Sequence, residues 1–101
     1  MKYDLLIRNG TLIDPARGIH APLDVALADG TVAEVGDSLP EAQAREVIDA
    51  GGRYVTPGLI DVHVHVFPGV SHFGIEPDPT CLARGATTVV DAGSAGADTF
   101  P

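Results

Sequence analysis

A chain of 101 residues with 45% apolar and 20% charged positions supplies one small domain or parts of two, and its core is small. Fourteen acidic against six basic side chains give a formal charge of −8, which opposes binding to phosphate backbones or anionic membrane surfaces and excludes both as expected partners. The first apolar run, Leu5-Leu6-Ile7, is too short for a signal-peptide core or a membrane span, and the single Cys81 cannot form an internal disulfide, so a cytoplasmic protein is the expectation.

Residues 3–8 and 11–14 read as short strands around Asn9-Gly10, a pair that tolerates positive φ and predicts an opening hairpin. Pro15, Gly18 and Pro22 signal a loop. Residues 23–28, the Asp29-Gly30 pair and residues 31–35 repeat the strand, turn, strand pattern as a second hairpin. Residues 36–40 read as a connection and residues 41–45 as a single helical turn. Strand patterning resumes at residues 46–50 and 53–56, on either side of Gly51-Gly52. The first fifty-odd residues are therefore expected to be mostly antiparallel β.

After Pro57-Gly58 the texture changes. Residues 59–66 are apolar apart from Asp61 and two histidines, as expected of a strand covered on both faces, and a domain boundary falls here, between residues 1–56 and 57–101. Residues 67–79 are rich in Gly and Pro and predict a loop. Asp78 and Pro79 suit the cap and first position of a short helix through Arg84, stopped by Gly85. Residues 86–91, Ala-Thr-Thr-Val-Val-Asp, read as another buried strand, followed by the small-residue loop Ala92-Gly93-Ser94-Ala95-Gly96. Strand, loop, helix, strand is the βαβ unit of a parallel sheet, so the expected fold class is α/β.

The chemistry concentrates in Asp61-Val62-His63-Val64-His65. In a strand successive side chains point to opposite faces, so Asp61, His63 and His65 are expected on one side and Ile60, Val62 and Val64 on the other. Imidazole is the commonest zinc ligand, and two rings about 6–7 Å apart along a strand face can lean onto one ion. His63 and His65 are thus candidate metal ligands that make half a site. Asp61 is as readily a carboxylate accepting backbone N–H groups as one that holds the far nitrogen of a ring. His20 falls in a loop and reads as exposed, His72 reads as solvated or in a turn contact, and Cys81 reads as core or half-buried.

Taken together, the β-rich opening, Pro57-Gly58-Leu59-Ile60-Asp61-Val62-His63-Val64-His65 and Gly85-Ala86-Thr87-Thr88-Val89-Val90-Asp91-Ala92-Gly93-Ser94 resemble the N-terminal portion of the amidohydrolase superfamily. The likeness is strongest to its dihydroorotase-like and amidohydrolase/deacetylase branch, and it covers essentially the whole chain. It implies a (β/α)8 TIM barrel with His63 and His65 at the end of the first strand, binding a divalent metal, zinc first, as one of one or two ions. Residues 1–56 would be the N-terminal portion of a β-sandwich that the family completes from its far C-terminus, and residues 57–101 the first βαβ unit of the barrel. In the family a bridging lysine carboxylate or acidic ligand, two further histidines and a final aspartate come from later strands. A barrel of this type needs about 250 residues, so the chain is expected to be a fragment or the first part of a longer reading frame.

The implied activity is hydrolysis of a C–N amide or ester bond of a small polar molecule by metal-activated water, in a full-length protein that forms a homo-oligomer. Alone, the chain should have little activity. Asp91 and Ser94, at the barrel face where active sites lie, become candidate substrate contacts. The alternatives are a noncatalytic metal-binding or interaction remnant whose open strands associate, and an all-β metal protein of jelly-roll type, which the helix signal before Gly85 opposes.

Overall fold

The computed structural model describes residues 1–69 and 74–94. His72 and the loop residues Ala95 and Gly96 therefore lie outside the described residues. The structure is mixed α/β and mostly strand, and it divides into two units, Met1–Pro57 and Gly58–Pro101.

The first unit holds two sheets. In one, β1 (Tyr3–Arg8) lies between β4 (Asp24–Ala28), antiparallel, and β6 (Ala44–Asp49), parallel, with β5 (Thr31–Gly36) outside β4. In the other, β2 (Thr11–Asp14) lies between β3 (Ile19–Pro22), antiparallel, and β7 (Tyr54–Val55), parallel. The expected first hairpin is thus corrected: β1 and β2 do not pair, because both edges of each are taken by other strands. Asn9, at φ 64°, instead carries the chain from one sheet into the other. Its neighbour Gly10 is needed for space rather than for φ, since a Cβ there would lie 2.6 Å from Val55 Cγ2 and 3.0 Å from Ala50 Cβ. Gly10→Ala should accordingly cost about 1–3 kcal/mol through overpacking. A lower urea midpoint at unchanged slope is the expected reading, and an unmoved midpoint would show that the crossing loop yields.

The second hairpin forms as the sequence indicates. Asp29 (φ 52°) and Gly30 (φ 74°) both take the left-handed conformation a two-residue primed turn requires, joining Ala28 to its partner Thr31. The Pro15-to-Pro22 loop is corrected. It contains a 3-10 turn, Pro15–Arg17, closed by Gly18 at φ 65°, and then β3, which returns along β2. Parallel partners β6 and β7 make the unit a mixed rather than mostly antiparallel structure.

Tyr3, Leu6, Ala26, Leu39 and Ala44 form the buried apolar cluster. Beside it, Asp24 is only 6% exposed, and its two oxygens accept the backbone N–H groups of Asn9 (3.1 Å) and Leu39 (3.0 Å). The Arg8 guanidinium lies 3.7 Å from the same carboxylate and reaches Glu41 at 2.6 Å. A mainly apolar cavity of about 410 Å³ is lined from both sheets by Ile7, Leu12, Val25, Leu27 and Val55.

In the second unit β8 (Leu59–Val64) pairs in parallel with β9 (Ala86–Asp91). Parallel pairing is incompatible with the all-antiparallel jelly-roll alternative. Between them lie α1 (Pro77–Thr80) and a 3-10 turn, Leu82–Arg84, ended by Gly85 at φ 101°. The helix begins two residues earlier than the sequence signals indicated. Pro77 takes the first position, and Asp78 sits in the first turn instead of capping it. Gly58 abuts β9: a Cβ there would collide with the Thr87 side chain, so the Pro-Gly pair at the start of β8 is a close-approach device.

Cys81 is buried. The two strands, expected to be covered on both faces, instead carry exposed apolar side chains at Leu59, Ile60, Val62 and Val90. Among the described residues of this unit the two strands are accompanied by one short helix and a 3-10 turn. No helix among the described residues is long and apolar enough to cross a membrane.

Candidate metal centre

The end of β8 does not follow strict alternation. Asp61 pairs with Val89 and Val64 with Asp91, so three steps along β8 oppose two along β9, and an extra residue is accommodated between Asp61 and Val64. Bulges of this kind re-aim side chains and free a backbone group from the ladder. The Asp61 carboxylate accepts the His63 N–H at 3.1 Å, holding a backbone donor inside the irregular stretch. Asp61 therefore bonds the main chain of His63 in this structure.

The same irregular stretch brings the two imidazoles together. His63 and His65 stand edge to face, with ring centroids 5.7 Å apart and planes at 74°. Zinc bound at about 2.0–2.1 Å by one nitrogen of each ring, at a tetrahedral angle, would put the centroids about 5 Å apart. The spacing fits two imidazoles sharing an ion. Among the described residues no third His, Cys, Asp or Glu joins them in a cluster, so the two histidines stand as a pair of candidate ligands.

One ring nitrogen of His65 is met from the loop after β9. Its Nδ1 lies 2.9 Å from Ser94 Oγ. Asp91, the last residue of β9, gathers backbone N–H groups: Ser94 (2.7 Å) and Gly93 (2.9 Å) on Oδ1, and Val66 (3.0 Å) on Oδ2. The Ala92 N–H donates to Val64 O at 2.8 Å and the Ile75 N–H to His65 O at 2.8 Å. The loop after β9 is thereby tied to the strand end that bears the histidines. Asp91 and Ser94, expected at the substrate, are bonded in this structure to that strand end and to each other.

The backbone N–H of Ser94, followed by those of Gly93 and Val66, lowers the Asp91 pKa from its ordinary 3.8 to about 2 despite an opposing desolvation effect. A depressed carboxylate stabilises the folded form above the unfolded pKa, and that contribution is lost as pH falls through the folded value. The Val66, Gly93 and Ser94 amide resonances should therefore titrate together with a midpoint near 2. A midpoint at 3.8 would mean that the three donors do not act on Asp91 in solution.

Sequence reasoning singled out both histidines as candidates and missed the bond between His65 and Ser94. The usable signal was Asp91-Ala92-Gly93-Ser94 itself, since an aspartate followed two residues later by Gly93 at φ 110° makes a side-chain turn.

Comparison with known proteins bears on the same stretch. The model of the amidohydrolase family matches residues 46–98, which include β8, the histidine pair and β9. The chain is 53% identical over 70 residues to a dihydroorotase of Geobacter sp. (strain M21), covering 68% of this chain and 16% of that protein. The crystal structure of an adenine deaminase superposes with a TM-score of 0.76 at 37% identity, over 93% of this chain and 24% of that one. An N-acyl-D-glutamate deacylase from Bordetella bronchiseptica, solved with zinc and a phosphonate mimic of the tetrahedral intermediate, gives a TM-score of 0.68 at 33% identity, over 94% of this chain and 21% of that one. The chain thus spans less than a quarter of the length of each of these relatives. With both strands, the Pro-Gly entry to β8 and the paired imidazoles inside the matched segment, the chain belongs to the amidohydrolase family.

Proposed function

We propose that this chain is the N-terminal, metal-binding segment of a metal-dependent amidohydrolase that cleaves a C–N amide or ester bond of a small polar molecule. The observation that carries the reading is the edge-to-face pair of His63 and His65 at the end of β8. In this reading residues 1–56 are the N-terminal portion of a β-sandwich, supported by two sheets that line a common apolar cavity, and residues 57–101 open a (β/α)8 barrel. The protein is cytoplasmic and homo-oligomeric when complete.

His63 and His65 would hold the ion, zinc first, through neutral imidazoles. Such an ion supplies a water of lowered pKa, polarisation of the scissile carbonyl and stabilisation of the oxyanion. The chain's own residues supply positioning: Asp61 holds the His63 main chain, while Asp91 and Ser94 fasten the facing loop to the His65 end of the strand. The proton-transferring carboxylate and the remaining ligands belong to later strands of the complete protein.

The test is the complete gene product, stripped of metal by a chelator and assayed on a cyclic amide, an N-acyl amino acid and a simple ester before and after zinc is restored. Hydrolysis of at least one of these only after restoration is the expected result. Activity indifferent to chelation and to His63→Ala would sink the proposal.

A second reading, a noncatalytic chain that associates through its open strands, is favoured by the exposure of Leu59, Ile60, Val62 and Val90. It requires the 101-residue chain to self-associate and the complete product to hydrolyse none of the three substrates.

A further inference from the structure

We propose that Asp91 is a positioning residue for the metal centre, whose two carboxylate oxygens grip the main chain just past His65 and the loop whose Ser94 meets the His65 ring. The inference rests on the reading of His63 and His65 as ligands and adds what keeps their rings at a spacing one ion can bridge.

His65 stands where the sheet stops. β8 ends at Val64, which lies opposite Asp91, the last residue of β9. Past that point the regular ladder no longer fixes the chain, so the direction of the His65 side chain depends on what holds the main chain after Val64. The Val66 N–H donates to Asp91 Oδ2 at 3.0 Å. The Ile75 N–H donates to His65 O and the Ala92 N–H to Val64 O, both at 2.8 Å. The Asp91 carboxylate is thus the hold that β9 places on the chain beyond His65.

The other oxygen, Oδ1, accepts the N–H groups of Gly93 at 2.9 Å and Ser94 at 2.7 Å. Those two bonds turn the loop back, and Ser94 Oγ comes to lie 2.9 Å from His65 Nδ1. One side chain therefore acts on His65 from two directions, through the backbone at Val66 and through the ring at Ser94. Hydrogen bonds to an ionised carboxylate are stronger than neutral ones, and groups that orient a metal ligand set its affinity as well as its direction.

A count of acceptors separates Asp91 from Asp61. Asp61 uses one oxygen, for the His63 N–H, and an asparagine there can accept the same bond through its carbonyl. Asp91 uses both. An asparagine at position 91 has one carbonyl oxygen and one NH2 group, so whichever way the amide turns, donors face donors on one side. The side with two N–H groups keeps the oxygen, and the Val66 bond is the one lost.

The experiment is NMR on the 101-residue chain, joined to zinc competition and steady-state kinetics on the complete gene product. In the wild-type chain a through-bond coupling between the Val66 amide nitrogen and the Asp91 carboxyl carbon is expected, as is a cross-relaxation peak between the His63 and His65 rings. Asp91→Asn should shift the Val66 amide, keep that of Gly93 in place and abolish the ring-to-ring peak, while the contact between Ile60 and Thr88 across the strands is retained. Asp61→Asn should keep the ring-to-ring peak. In the complete protein Asp91→Asn should raise the zinc Kd about 10–100-fold.

Absence of the Val66-to-Asp91 coupling in the wild-type chain overturns the proposal, and does so even if Asp91→Asn unfolds the strand pair. A ring-to-ring peak that survives Asp91→Asn after the Val66 amide has moved overturns it too. Equal loss of the peak in Asp61→Asn has the same force, since charge rather than the number of acceptors then holds the rings. A raised KM with an unmoved zinc Kd overturns it in favour of contact with the substrate. A zinc Kd that ignores His63→Ala overturns the ligand reading and leaves the Asp91 grip standing.

Discussion

His65→Ala in the complete protein is expected to lower kcat/KM about a thousandfold. A metal that polarises a carbonyl and activates water supplies several kcal/mol of transition-state stabilisation, and about 4 kcal/mol corresponds to three powers of ten. The side chain removed is one of a pair whose 5.7 Å spacing suits a shared ion, and its loss leaves His63 as the sole imidazole of this strand end. His63→Ala should behave alike. Ser94→Ala should fall well short of either, because it disturbs the orientation of a ligand that is still present. His20→Ala is the control: His20 is exposed on β3 and should leave the rate unchanged. Steady-state kinetics with measured metal content decides the matter, and a His65→Ala protein that keeps its metal and its rate would remove the histidine pair from the chemistry.

Asp24→Ala should destabilise the N-terminal unit by about 1–3 kcal/mol, the scale for leaving a buried backbone donor unsatisfied. The carboxylate is 6% exposed, accepts two backbone N–H groups from separate loops and sits against Arg8. Truncation would strand both backbone donors, while the Arg8 guanidinium keeps its contact with Glu41. Asp24→Asn keeps one accepting oxygen and should cost less. Urea titration of the 101-residue chain, followed by far-UV circular dichroism, gives the comparison. A loss below about 1 kcal/mol would mean that water replaces the carboxylate.

The strand segments were legible wherever local chemistry is decisive. Asp29-Gly30 forces a tight turn between its own neighbours, and Ala86–Asp91 is β-branched enough to read as a strand at its observed bounds. Asn9-Gly10 misled because the same positive φ serves a sheet-to-sheet crossing. What decides between hairpin and crossing is competition from β4, β6, β3 and β7, which lie well outside any local window. β3 was hidden by Pro22, which tolerates a strand end but reads as loop.

At the site, the His-x-His spacing was visible because alternation along a strand is a local rule. The extra residue between Asp61 and Val64 was not, since register depends on the partner strand. The approach of Ser94 to His65 joins residues at opposite ends of a connection of nearly thirty residues, and no pattern in one sequence marks that pair.

The pairing within the first unit bears on how the chain is made. Each described strand from β1 to β7 finds its partners among residues 1–57. A ribosome adding about 5–20 residues per second synthesises that segment in about 3–11 s, while small domains of mixed topology fold in milliseconds to seconds. The strands of the N-terminal unit can therefore pair with one another before the second strand of the histidine unit has left the exit tunnel. β8, with its exposed Leu59, Ile60 and Val62, then waits for β9 in the crowded space outside the ribosome. That interval leaves Leu59, Ile60 and Val62 unpaired until the second strand arrives.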